Sequence, residues 1–243
     1  ALCQNADIRD ALHLYTLSGA YGQLFDADQD ELKSSFWLMF EMTHVMEMGE
    51  QVVIPTLSYL FHRIEKRFDG RPTLLVLDEC WLFLRHGIFA SRLQSWLKTL
   101  RKRNVYVVFA TQEPADAAES SISPTIISAC PTRIFLPDAE ATVPEVAKYY
   151  KTFGLTDAEL HIIANAQQKR DYYYRSIKGR RLFTLDMEPV ALAFAGFSNP
   201  KQQVFLDTIE KKLPSSRWVS AILKYNHLDW AVELLEPPRR KAA

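Results

Sequence analysis

The chain has 243 residues, and its 29 Lys and Arg are balanced by 29 Asp and Glu, for a formal net charge of zero; 48% of it is hydrophobic and 12% aromatic. That length suits one large α/β domain, or one domain with appendages, rather than several independent units. The neutral balance excludes the pervasive basic footprint of a dedicated nucleic-acid binder, so any polyanion contact has to be local.

The opening ALCQNADIRD has neither a basic n-region nor an apolar h-region and lacks an initiator Met, which points to a fragment rather than a leader peptide. Cys3, Cys80 and Cys130 are too few and too widely spaced for a disulfide scaffold or a thiolate zinc site, so a reducing, cytosolic setting is expected. The longest run free of Asp, Glu, Lys and Arg, Ala11 to Phe25, is shorter than the about 20 apolar residues of a spanning helix.

From Pro55 the spacing of Leu57, Leu60, Phe61, Ile64 and Phe68 predicts an amphipathic helix, closed by Gly70. Thr73 to Leu77 is a continuous uncharged run followed by two acids, and reads as a strand buried on both faces, as in a parallel sheet. A helix from Ile88 to Lys102 follows, with Phe89, Leu93, Trp96, Leu97 and Leu100 on one stripe, and then a second buried strand, Val105 to Ala110. Strand, helix and strand in that order make a βαβ unit. Another helix should begin at Glu113-Pro114, and a third strand, Arg133 to Leu136, is expected in an open α/β sheet.

Beyond Pro144, helices are predicted at Glu145–Thr152 and Asp157–Ala166, the second with a capping box formed by Thr156 and Glu159. The pattern then turns to strands at Asp171–Ile177, Arg181–Leu185 and Val190–Phe194, with a turn at Lys178-Gly179; together they read as an antiparallel edge. Helices near Lys201–Leu213 and Arg217–Tyr225 finish the chain, and the tail 236–243 reads as flexible.

The chemistry concentrates at Asp78 and Glu79. In open α/β sheets ligands sit at the carboxyl ends of strands. There one acid can hold Mg²⁺ through water while its neighbour orients or deprotonates an attacking water. Gln112 follows the next strand at the same edge of the sheet, where an amide can sense a γ-phosphate or place that water. The alternative for the acids is a plain strand followed by a surface turn, and for Gln112 a turn or capping residue.

Together RPTLLVLDECWLFL, WLKTLRKRNVYVVFATQ and CPTRIFLP resemble the TrbE/CagE class of type IV secretion and conjugative-transfer ATPases, which share a RecA-like motor core with the HerA and FtsK families. The likeness extends into YGQLFDADQD, YLFHRIEKR and KRDYYYRSIKGRRLFTLDMEPVALAF. The resemblance implies an α/β, RecA-like P-loop NTPase core with a mostly parallel sheet, an antiparallel β edge and C-terminal helices. Residues 1–235 would be part of that ATPase domain. It implies a homo-oligomer, hexameric in the assembled machine, that uses ATP and Mg²⁺ at the cytoplasmic face of a bacterial inner membrane. Its partners would be other type IV secretion components and a DNA or protein substrate. By the same resemblance Asp78 is the Mg²⁺ acid, Glu79 the catalytic acid and Gln112 the sensor.

Two departures stand out. Cys80 replaces the family's usual Ala, and Glu113-Pro114-Ala115-Asp116 replaces its Ser-Leu-Ser-Asp. More consequential, no G-x-x-x-x-G-K-[ST] phosphate loop occurs in these residues. The loop is expected upstream, and the piece alone should hydrolyse almost nothing. A DNA-translocating motor and a non-catalytic assembly platform are the alternative readings.

Arg133 and Arg170 are candidates for an arginine acting on a neighbour's nucleotide, set against an ordinary ion pair or solvated side chain. Arg101-Lys102-Arg103 reads as a charged helix end more readily than as a DNA contact. Strand alternation puts Tyr172 and Tyr174 on one face and Tyr173 on the other, and packing is the stronger reading for all three. The six histidines show no metal-binding spacing.

Overall fold

The computed structural model describes residues 4–30, 32, 35–197 and 199–235, so Cys3 and the tail lie outside the described residues. The chain divides into two compact units, 1–129 and 130–243.

The first unit opens with three short helices, α1 (Ala6–His13), α2 (Gly22–Phe25) and α3 (Thr43–Glu47). Asn5 caps α1 by accepting from the amides of Asp7 and Ile8. Helix α4 (Glu50–Glu65) begins five residues before the expected Pro55, which therefore lies inside it. Proline has no N–H to give the carbonyl four residues back. That carbonyl belongs to Gln51, and the Tyr15 hydroxyl donates to it at 2.9 Å. Gly70, at φ +98°, makes the turn beyond the helix.

The βαβ unit forms as the pattern predicts. Strand β1 (Thr73–Leu77) is followed by α5 (Trp81–Leu84) and α6 (Gly87–Thr99), the latter running on through a 3₁₀ turn at Leu100–Arg103 into β2 (Val105–Phe109). The strands pair in parallel with Thr73 opposite Val105 and Leu77 opposite Phe109. Burial is one-sided, contrary to the expectation of two covered faces. Leu77 and Val105 are buried, whereas Leu74, Val76, Tyr106 and Val108 are exposed. Successive strand side chains point to opposite faces, and among the described residues of this unit nothing covers the second face.

The core is helical. Phe61 of α4 lies 5.5 Å from Phe89 and 4.9 Å from Trp96 of α6, ring centre to ring centre, and 5.5 Å from Phe83 of α5. Arg92 of α6 donates to Glu65 of α4 at 2.7 Å. Helices α7 (Pro114–Ala118) and α8 (Ser123–Ala129) complete the unit, with Pro114 in the first turn of α7 as its sequence predicts.

The second unit begins with β3 (Arg133–Phe135), α9 (Pro144–Thr152) and α10 (Asp157–Asn165), then β4 (Asp171–Ser176) and β5 (Gly179–Thr184). The predicted capping box is present: the Glu159 carboxylate accepts from the Thr156 amide at 2.8 Å, and the Thr156 hydroxyl accepts from the Glu159 amide. Strand β3 pairs antiparallel with β4 rather than extending β1–β2, and β4 pairs antiparallel with β5 through a turn at Ile177-Lys178, one residue earlier than expected, because Gly179 already pairs with Ser176 as the first residue of β5.

As the alternation requires, Tyr173 points inward. It is buried and donates to Glu159 at 2.8 Å, while Tyr172, on the other face, stacks on Phe183 at 5.5 Å. Arg175 and Arg180 add positive charge at 3.8 and 3.4 Å from the same Glu159 oxygen. Gly154 permits this packing, because its φ is +84° and a Cβ there would meet the Arg175 guanidinium at 2.8 Å.

Val190–Phe194, expected as a strand, lies within helix α11 (Pro189–Ala195). Pro189 occupies the favoured first helical position, and three alanines in PVALAFA favour helix. Helical spacing also puts Val190 and Ala193 together against Leu223, Leu228, Ala231 and Val232. These last come from α13 (Trp218–Tyr225), α14 (Asp229–Leu235) and the link between them, preceded by α12 (Pro200–Lys212).

Candidate nucleotide site

The site is built by one irregularity at the carboxyl end of β1. The Ala110 amide donates to the Leu77 carbonyl at 3.0 Å, and the Cys80 amide donates back to the Ala110 carbonyl at 2.9 Å. Both residues thus pair with Ala110, and Asp78 and Glu79 bulge out between them. Glu79 takes φ +50°, a left-handed conformation that costs a non-glycine residue roughly 1 kcal/mol or more. Cys80, only 1% exposed, anchors the return of the chain.

The excursion brings the predicted groups together. Gln112, two residues beyond Ala110, donates its amide to Glu79 Oε1 at 2.6 Å. The second oxygen of Glu79 accepts the Trp81 indole N–H at 2.5 Å. Asp78 is exposed, and its Oδ1 accepts the Glu79 amide at 3.1 Å. Thr111 donates to Asp116 at 2.9 Å, which ties the strand end to the first turn of α7 and gives the departing Glu113-Pro114-Ala115-Asp116 segment a structural task. An open polar pocket of about 150 Å³ adjoins these groups, lined by Trp81, Arg85, Gln112, Glu113 and Asp116.

Sequence reasoning missed Trp81 and Arg85. The Arg85 guanidinium lies 4.3 Å from the centre of the Trp81 ring, a cation–π contact across one helical turn. Their i, i+4 spacing directly after the acid pair was the available signal.

The two arginine candidates belong to the second unit. Arg133 donates to the Phe153 carbonyl at 3.1 Å and lies 5.9 Å from the centre of the Phe153 ring; Arg175 donates to the same carbonyl. Burial first, and then the neighbouring Arg175 cation, lowers the pKa of Arg133 from its ordinary value. Arg170 is exposed, one residue before β4.

The donor set fits a hydrated Mg²⁺. That ion prefers oxygen ligands, keeps several waters and commonly takes only one or two carboxylates, with phosphates completing its shell. Asp78 supplies such a carboxylate. Among the described residues there is no cluster of three or more His, Cys, Asp or Glu, and a site of this type needs none.

Acids and an amide at the carboxyl ends of adjacent parallel strands, with helices between, follow the plan of the P-loop α/β class. The model of the TraG P-loop domain matches residues 4–184, and the chain belongs to that family. It is 46% identical over 195 residues to the conjugal transfer protein TrbE of Rhizobium radiobacter, an alignment that covers 80% of this chain and 24% of that protein. It is 41% identical over 143 residues to the type IV secretion system protein virB4 of Bartonella quintana, covering 58% and 18% respectively. The chain therefore spans about a quarter or less of the length of these relatives. The structure of VirB4 from Thermoanaerobacter pseudethanolicus superimposes with a TM-score of 0.57 at 18% identity, over 72% of this chain and 48% of that one, a likeness of fold. Among the described residues no helix is long and apolar enough to cross a membrane.

Proposed function

We propose that this chain carries the acid and sensor half of an ATP hydrolase that energises type IV secretion or conjugal transfer. The observation that carries the reading is the convergence of Gln112 on the Glu79 carboxylate, beside exposed Asp78, at the ends of paired strands. The relatives named for conjugal transfer and type IV secretion support the setting.

In this reading residues 1–235 serve one motor domain, and the β- and γ-phosphates are cradled by a phosphate loop contributed by further polypeptide. Asp78 would hold a hydrated Mg²⁺, which would supply charge neutralisation for the phosphate groups. Gln112 senses the γ-phosphate and aligns the attacking water. Glu79 takes the proton of that water as its oxygen bonds to the γ-phosphorus; the bond from phosphorus to the bridging oxygen breaks, and ADP leaves with that electron pair.

The working assembly is a homo-oligomer, hexameric in the complete machine, at the cytoplasmic face of the bacterial inner membrane. Other type IV secretion components are its partners, and a DNA or protein substrate is its cargo. Arg170, being exposed, is better placed than Arg133 to reach a neighbour's γ-phosphate, because Arg133 is committed to Phe153.

Phosphate release tests the proposal, measured for the protein as its gene encodes it and for residues 1–243 alone. Mg²⁺-dependent hydrolysis by the former and negligible turnover by the latter are expected. Failure of the encoded protein to hydrolyse ATP would favour a non-catalytic assembly role.

A further inference from the structure

We infer that Trp81 is a positioning residue for Glu79: its indole N–H holds Oε2 of the carboxylate in place while Gln112, on Oε1, is the donor that lets go. The inference deepens the hydrolase reading above and rests on it for its catalytic consequence, though the contact itself is independent of nucleotide.

The two donors on Glu79 differ in kind. The Trp81 indole has a single N–H, which it gives to Glu79 Oε2, and no acceptor, so it has nothing left with which to bond a phosphate oxygen or to accept from a water. It is half-buried, at the start of α5, and the Arg85 guanidinium lies against its ring face, 4.3 Å from the ring centre. Gln112 is exposed, lies beyond the last residue of β2, and carries both a donor and an acceptor on a flexible amide. Of the two, Gln112 is free to turn towards an incoming γ-phosphate; Trp81 is not.

The backbone agrees. Glu79 sits at φ +50°, and residues held in sparsely populated conformations mark places where the surrounding structure over-determines geometry. Here the over-determining contacts are the paired Leu77, Cys80 and Ala110 backbone and the two side-chain donors. When Gln112 turns away, Oε1 becomes available to the attacking water while the 2.5 Å bond from Trp81 keeps the carboxylate plane where it was. Loss of that bond lets the carboxylate rotate, and misplacement of a reacting group by about 1 Å costs up to a hundredfold in rate.

The direct test is on the contact. In ¹⁵N-labelled protein of residues 1–243, the five tryptophans give separable indole N–H resonances, and that of Trp81 is assigned through the backbone. A carboxylate-bonded indole proton resonates downfield. Glu79→Gln should move the Trp81 resonance upfield and leave the other tryptophans in place, and Gln112→Ala should leave the Trp81 bond intact. A Trp81 resonance indifferent to Glu79→Gln overturns the inference.

The consequence is tested in the encoded protein. Trp81→Phe should lower kcat about ten- to a hundredfold with little change in KM, and Trp81→His, which restores a ring N–H donor, should recover part of the loss. Unchanged kcat in Trp81→Phe overturns the positioning role. A wild-type protein without hydrolysis defeats the hydrolase reading instead, and the indole resonance then decides the contact separately.

Discussion

The Tyr15 hydroxyl donates to the Gln51 carbonyl at 2.9 Å, and Gln51 is the residue whose carbonyl Pro55 leaves without its helical partner. A side chain 40 positions upstream thus repairs the defect that proline makes inside α4. Tyr15→Phe should destabilise the first unit by about 1 kcal/mol. In a Pro55→Ala background, where the helical N–H returns, the same substitution should cost less. Urea unfolding of the four proteins of the cycle measures the coupling; equal costs in both backgrounds would show that the two groups do not act together.

Glu159 organises the second unit. Its buried carboxylate accepts from the Thr156 amide and hydroxyl and from Tyr173, with Arg175 and Arg180 close by. Removing one partner of such a buried charged network strands the others, so Glu159→Ala should cost about 3 kcal/mol or more. The check is chemical denaturation followed by the tyrosine signal. A loss under about 1 kcal/mol would mean that the network relaxes into water.

Glu159 and Tyr173 set a pH window. Burial pushes the Glu159 pKa up, but the Thr156 amide, Tyr173, the Thr156 hydroxyl and Arg180 outweigh it, and the net shift is down. A depressed carboxylate contributes stability that is present above its unfolded value and lost as pH falls through the folded one. The acid limb should therefore lie below the ordinary glutamate range. Tyr173 behaves oppositely: burial first, then its bond to Glu159, push its pKa up to about 12. Its contribution is complete below the ordinary tyrosine value of about 10 and disappears as pH rises through about 12. Melting temperatures across pH should show both limbs, and Tyr173→Phe should flatten the alkaline one.

If Arg170 acts on a neighbour's nucleotide, two defects in different subunits complement each other. Arg170→Ala and Glu79→Gln should each depress hydrolysis in the encoded protein by about 100-fold or more. Mixed subunits should regain activity at those interfaces that join an intact Glu79 to an intact Arg170. Hydrolysis in the mixture no greater than in the separate variants would remove Arg170 from the site. Arg133→Ala should instead lower the stability of the second unit, since its guanidinium holds the Phe153 carbonyl.

Much of this was legible because it is local. The run TLLVL, the stripes of α4 and α6 and the Thr156–Glu159 box each carry their signal within a few residues, and the structure forms them nearly where the pattern ends. What failed was governed by distant contacts. Pro55 looked like a helix start because Tyr15, its compensation, lies far upstream. PVALAFA reads as a strand on its apolar run alone, which fits β as well as α; Pro189 and the three alanines favour helix, and packing on α13 and α14 goes the same way. The ends of β1 and β2 could be placed side by side from the βαβ order, but the shared pairing with Ala110 that turns Glu79 towards Gln112 and Trp81 could not be read from spacing.

The central claim is that Glu79 is the proton acceptor of a hydrolytic site, and Glu79→Gln in the encoded protein tests it most directly, with hydrolysis and nucleotide binding measured on the same preparation. The account predicts that turnover falls at least about 100-fold while the affinity for Mg²⁺-ATP stays nearly unchanged. Hydrolysis by Glu79→Gln at the wild-type rate would contradict it.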